Sequence, residues 1–210
     1  MKHLIFLGAP GSGKGTQSNR LISSKGYKHV STGDLLRSEI SKDTELGKEV
    51  KQVMDKGGLV SDDLVVRLLK ANIDLRNGNY IFDGYPRNII QAKTLDNEVI
   101  QDYPSLAIYF DIDLDMLSER LTNRRTCRNC GEIFNLITKP PKINGVCDKC
   151  GSSELAQRVD DQEDVIKSRL RVFKETIDPV ISYYQDLNRL ARISAELEED
   201  RIFAEILSKL

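Results

Sequence analysis

The 210-residue sequence has no long apolar run. Its longest, Leu4 to Leu7 and Leu106 to Phe110, fall far short of the roughly 18 to 20 residues a membrane helix requires, so no membrane partner is expected. The apolar stretch after Lys2 and His3 stops at Gly8, before a secretory h-region of roughly 7 to 15 residues can form. No leader and a cytoplasmic location are therefore expected. An excess of one charge is also missing: 31 Lys plus Arg face 32 Asp plus Glu, for a net charge of -1. That balance excludes a globally basic surface for nucleic acid or anionic lipid, and any anion site has to be local. Repeats and low-complexity tracts are absent. With 40 % apolar and 30 % charged residues, the composition is that of a folded globular chain. The length suits one large domain or one core with insertions.

What is present is an alternation. Short apolar runs at His3–Leu7, Lys28–Ser31, Asn79–Phe82, Ala107–Ile112 and Ala191–Ser194 each precede a segment with helical spacing. This predicts an α/β fold, a parallel five-stranded sheet covered by helices on both faces. Ser61 is a suitable N-cap, and Asp62 and Asp63 complement the helix dipole after it. Ile166, Leu170, Phe173, Ile177 and Ile181 recur at steps of three and four, which predicts one long helix, bent at Pro179. Between Thr126 and Gln157 the periodicity disappears; Pro140, Pro141 and all four cysteines fall there, as in an inserted small domain. A second insertion, with two short helical segments, is expected over 32–60. The core would then comprise 1–31, 61–125 and 158–210.

The first strand runs into Gly8-Ala9-Pro10-Gly11-Ser12-Gly13-Lys14-Gly15-Thr16, followed by a helical segment from Gln17. Strand, glycine-rich turn, lysine and helix make a phosphate loop: backbone N–H groups converge on phosphate oxygens, and Lys14 adds a mobile charge. Gly15 stands where phosphate loops generally carry the magnesium-ligating Ser or Thr, and the hydroxyl arrives at Thr16. With no Asn-Lys-x-Asp segment either, a guanine-nucleotide switch is disfavoured.

Gly8 to Gln17 resembles the phosphate loop of adenylate kinases and their nucleoside monophosphate kinase relatives. Ser31-Thr32-Gly33-Asp34-Leu35-Leu36-Arg37, Asp83-Gly84-Tyr85-Pro86-Arg87, and Arg158-Val159-Asp160-Asp161 with Arg169 carry the same likeness over nearly the whole chain. The resemblance implies a P-loop three-layer core, an AMP-binding insertion at 32–60 and a lid at 126–157. It also implies Mg2+-dependent transfer between ATP and AMP by a monomer.

By that resemblance Lys14, Arg120, Arg124, Arg158 and Arg169 surround the transferring phosphoryl group. Gly11, Ser12, Gly13, Lys14, Gly15 and Thr16, with Arg120, Arg124, Ile133, Phe134 and Leu197, would hold ATP. Thr32, Arg37, Met54, Leu59, Val60, Gly84, Arg87, Gln91, Arg158 and Arg169 would hold AMP, and Asp83 would orient magnesium-bound water. Arginine suits this work because its planar fork binds two phosphate oxygens. From spacing alone, Arg120 and Arg124 lie four apart on the helix after Asp113, hence on one face; either an anionic ligand or the helix C-terminal dipole accounts for them. Asp83 alternatively caps the turn before Pro86, and Asp160 and Asp161 alternatively cap a helix. Tyr85, Asn88, Asn135 and the glycine-free Ser194–Glu198 segment depart from the family pattern.

Cys127-x2-Cys130 and Cys147-x2-Cys150, sixteen residues apart, match a tetrathiolate zinc site. Four thiolates close the coordination shell, so the Zn2+ would be structural. Two disulfides are the rival reading, and Arg125, Arg128, Lys142 and Lys149 around the cluster admit a nucleic-acid-binding module as well. Those cations would equally offset the negative charge of a zinc held by four thiolates, and the resemblance implies that the insertion is the lid. His3 and His29 read as ordinary strand residues. Other open alternatives are a kinase for another nucleoside monophosphate and a zinc-ribbon nucleotide switch.

Overall fold

A computed structural model describes residues 2–210. The central sheet contains β1 (His3–Leu7), β2 (Lys28–Ser31), β3 (Tyr80–Asp83), β4 (Ser105–Asp111) and β8 (Leu190–Ser194), in the order β2-β3-β1-β4-β8. Every pairing is parallel, and the register sets Phe6 beside both Asp83 and Ile108. β1 explains why such strands read as unbroken apolar runs. Ile5 and Leu7 enter one core, whereas Leu4 and Phe6 enter the other, and all are at most 1 % exposed.

The first core is covered by α4 (Asp62–Asn72), α5 (Ile89–Thr94, continued by a π-helical turn Leu95–Ile100) and α7 (Glu163–Asp186). The second is covered by α1 (Lys14–Lys25), α8 (Glu199–Leu207) and α6 (Leu117–Thr122). In α7, Ile166, Ile177 and Ile181 are buried, Leu170 and Phe173 partly so, and Pro179 lies inside the helix.

The expected segment between the second and third strands contains α2 (Thr32–Ser41) and α3 (Glu45–Asp55). Ser31 and Thr44 start these helices by accepting the N–H groups of Asp34 and Gly47. Ser61 occupies the N-cap of α4, but its side chain makes no capping hydrogen bond. The aperiodic cysteine-bearing stretch is organised around a small antiparallel sheet of β5 (Arg124–Cys127), β6 (Ile133–Asn135) and β7 (Leu155–Ala156). No described helix is long and apolar enough to cross a membrane.

The chain leaves β1 toward β2 on one side of the sheet and leaves β4 toward β8 on the other. Divergent connections of this kind open a crevice at the carboxyl ends of the strands.

Candidate active site

A cleft of about 840 Å³ opens there and extends beneath the small sheet. Every residue assigned above to the phosphate, donor or acceptor sites lines it, as does Asp83. The loop after β1 is shaped by glycine. At Gly8 (φ +153°) a Cβ would stand 2.9 Å from Ser12 Oγ, and at Gly11 (φ +85°) 3.0 Å from Leu121 Cγ. Lys14 opens α1 and donates from Nζ to the Gly8 and Ala9 carbonyls at 2.8 Å each. Burial, reinforced by Arg87, Arg124 and Arg169 and opposed by Asp83, brings its ammonium down to about 8. A Cβ on Gly15 would meet Ile133 Cδ1 at 3.1 Å, so the missing side chain lets the small sheet approach the loop.

The arginines are ordered by two buried carboxylates. Arg124 grips Asp161 at two points, 2.7 and 2.6 Å, and Arg169 Nη1 donates to Asp161 Oδ1 at 3.0 Å and to the Asp160 carbonyl at 2.7 Å. Asp160 also faces Arg169 at 2.9 Å and Arg37 at 3.8 Å. Asp160 and Asp161 therefore do not cap α7, whose N-cap is Gln162. The helix expected to carry Arg120 and Arg124 together ends at Thr122; Arg124 begins β5, and the two converge on the cleft from different elements. Arg158 donates to Thr126 Oγ1 at 3.0 Å and Arg87 to the Gly84 carbonyl at 2.8 Å. Burial, then neighbouring guanidinium groups, pull Arg158 and Arg87 each down to about 10. Crowded, partly desolvated cations of this kind are suited to hold an anion.

Asp83 ends β3, and its Oδ2 lies 3.2 Å from His29 Nε2. That partner, not a turn cap, holds the carboxylate. Burial works to raise the Asp83 pKa, but His29, Lys14 and Arg87 outweigh it and hold the group below its ordinary value. His29 is raised in turn: burial opposes its charge, and the bond to Asp83, with Asp34 nearby, prevails. His29 and His3 are both strand residues outside the cysteine cluster, as expected; His29 adds the pairing with Asp83, and His3 accepts the Tyr80 N–H at Nδ1. Thr32 donates to the Gly84 carbonyl at 2.8 Å, beside Gln91 and a wall of Met54, Leu59 and Val60.

Over the opposite half of the cleft lie Ile133, Phe134 and Leu197. The Phe134 ring is 3 % exposed and packs with Cys127 and Cys147, so it is not free to stack on a nucleic-acid base. Asn135 donates to the Arg120 carbonyl at 3.0 Å and accepts the Ile137 and Thr138 N–H groups, tying the small sheet to α6.

The four cysteine Sγ atoms lie within 4.8 Å of one another, with 3.6 Å between Cys127 and Cys150 and 3.5 Å between Cys130 and Cys147. All four are free thiols, not two disulfides. A tetrahedral Zn–S distance of about 2.3 Å requires sulfurs roughly 3.8 Å apart, which this cluster approaches. The two knuckles match: Gly131 N–H donates to Cys127 O and Gly151 N–H to Cys147 O, each at 2.9 Å. Both glycines are left-handed, with φ 75° at Gly131 and 73° at Gly151. The donor set fits a structural zinc site.

The family model described as adenylate kinase matches residues 6–189. The chain belongs to the adenylate kinase family. It is 44 % identical to the adenylate kinase of Thermosipho africanus over 98 % of both chains. Against the adenylate kinase of Thermodesulfovibrio yellowstonii identity is again 44 %, over 99 % of this chain and 98 % of the relative. That of Thermotoga neapolitana is 41 % identical over 99 % and 96 %. Within this family chain the unusual Tyr85 is 1 % exposed, and its hydroxyl has no hydrogen-bond partner among the described residues. The segment contributing Leu197 also supplies Glu199, whose carboxylate lies 3.8 Å from Lys139 of the cysteine-bearing stretch. Neither partner of that pair carries a local signal of it, since the two stand 60 positions apart in the sequence.

Proposed function

We propose that the chain transfers the terminal phosphoryl group of ATP to AMP, giving two ADP, and runs the reaction in both directions. The observation that carries this reading is the convergence of two cationic sets on one cleft. Lys14 and the phosphate loop serve a donor, and Arg37 and Arg87 serve an acceptor monophosphate, with Arg120, Arg124, Arg158 and Arg169 between. A nucleotide switch has no use for the second clamp.

The transferring group spreads negative charge over its equatorial oxygens, so positioning and charge stabilisation do most of the work. Lys14 exchanges its carbonyl partners for phosphate oxygens, while the central arginines neutralise charge that accumulates between the nucleotides. Direct displacement requires no covalent enzyme intermediate, and no side chain is nominated as general base. The second oxygen of Asp83 suits the water shell that Mg2+ usually retains; bound with ATP, the ion supplies charge neutralisation between phosphates. Thr32, Gly84 and Gln91 face the acceptor base, and Ile133 and Leu197 flank the donor base.

Segments 32–60 and 126–157 act as acceptor-binding insertion and zinc-stapled lid over the remaining core. Contacts across their boundaries support this reading. Ser168 donates to the Lys56 carbonyl at 3.0 Å, and Lys139 and Glu199 bridge the donor half. Closure excludes water, which would otherwise compete with AMP for the phosphoryl group. The active unit is a monomer acting in the cytoplasm, with ATP, AMP and ADP as its ligands. Coupled assays of ADP production with AMP, UMP, CMP and GMP test the reading. AMP gives the highest kcat/KM; failure of AMP to accelerate ATP consumption contradicts it.

A further inference from the structure

Gln91 is 2 % exposed, and its side-chain amide is held from both ends. Oε1 accepts the Arg87 backbone N–H at 2.7 Å, and Nε2 donates to Asp62 Oδ1 at 2.6 Å. The Gln91 backbone N–H donates to Asn88 Oδ1 at 2.8 Å, which fixes the first turn of α5 as well. A glutamine amide can turn over with almost no change of shape, exchanging donor for acceptor. These partners forbid it. A backbone N–H only donates and an ionised carboxylate only accepts, so reversal would set N–H against N–H and carbonyl against carboxylate in a buried site.

We propose that Asp62 is a specificity-determining positioning residue: by locking the Gln91 amide, it makes the acceptor site favour a 6-aminopurine monophosphate over its 6-oxo counterpart. This rests on the acceptor reading given above. After its two protein contacts the amide retains one N–H and one carbonyl lone pair for a ligand. Adenine complements that pair, because its ring nitrogen N1 accepts beside an exocyclic amine that donates. Hypoxanthine, guanine and uracil present the reverse order, a ring N–H beside a carbonyl. A site built on buried hydrogen bonds rejects such ligands because its own polar groups are left unmatched. Asp62 opens α4, 29 residues from Gln91 in sequence, so the carboxylate that favours the helix dipole also orients the base reader.

AMP and IMP have the same shape and differ at this edge, which makes their ratio of kcat/KM the direct readout. ADP formation with AMP by the unsubstituted chain is measured first; its absence overturns the acceptor reading itself. Asp62→Asn retains the side-chain shape but offers an amide that can face Gln91 either way. It lowers the AMP:IMP ratio by about tenfold, chiefly through a higher KM for AMP, with little change in kcat. Asp62→Ser, which keeps a residue suited to a helix start, gives the same fall. Gln91→Leu also lowers the ratio, and adding Asp62→Asn to it changes the ratio no further. An unchanged ratio in both Asp62 variants, or an equal effect of Asp62→Asn in the Gln91→Leu background, overturns the proposal.

Discussion

Arg124 clasps Asp161 at two points, Nε to Oδ2 at 2.7 Å and Nη2 to Oδ1 at 2.6 Å, although the Asp161 side chain is fully buried. A buried carboxylate held in this way organises the cations around the cleft; they do not simply repel one another. Asp161→Asn is therefore expected to destabilise the chain by about 3 kcal/mol, the scale of a broken buried pair. Urea unfolding measures this, and ADP should reduce the deficit by supplying anions to the released arginines.

Lys14 offers a test in pH. With its ammonium down to about 8 in the free chain, kcat/KM should fall above about pH 8, because the charged form binds phosphate. In the nucleotide complex the anionic phosphates favour the ammonium, so kcat should persist to higher pH. The stability contribution has the opposite sense: the lowered pKa favours the unfolded state below about 8 and ceases to do so as pH rises toward 10.5. Lys14→Met should remove both dependences and lower kcat by about 100-fold or more.

The His29–Asp83 pair has a window. His29 is raised above 6.5, so its contribution is fully present below that value and disappears as pH rises through the raised pKa. Asp83 is held below 3.8; its contribution is present above 3.8 and lost as pH falls through the lowered pKa. His29→Gln should consequently lower the melting temperature most near about pH 5 and least near about pH 9. Thermal melts across that range check the prediction.

The cysteine cluster predicts a separation of stability from chemistry. Small zinc modules gain roughly 10 kcal/mol or more of apparent folding free energy from the metal. Chelation should lower the melting temperature while turnover below the melting range is largely retained. Replacement of zinc by cobalt should give the visible absorption of a tetrahedral tetrathiolate. Rapid loss of turnover in a chain that is still folded contradicts a structural role.

Much of this was legible because local chemistry announces it. The strands fall within two residues of their expected bounds, since parallel strands buried on both faces read as short apolar runs. The phosphate loop and the cysteine pairs are contiguous motifs whose spacing is visible in the sequence. Long-range pairings were not legible. Arg124 retained helical spacing from Arg120, but the helix stopped at Thr122. Asp160 and Asp161 resembled helix caps until burial matched them with arginines from other elements. His29 and Asp83 lie 54 positions apart, and Asp62 and Gln91 29 apart, with nothing in either neighbourhood to signal the bond. The small sheet escaped the period-two test because β7 has 2 residues and β6 only 3.

Phosphoryl transfer from one nucleotide to a second in a shared cleft can be followed by initial-rate 31P NMR of the chain with Mg2+, ATP and AMP. ATP and AMP signals should fall together while ADP rises by two for each ATP consumed, and ADP alone should regenerate both. ATP consumed with release of inorganic phosphate and no loss of AMP would contradict such transfer.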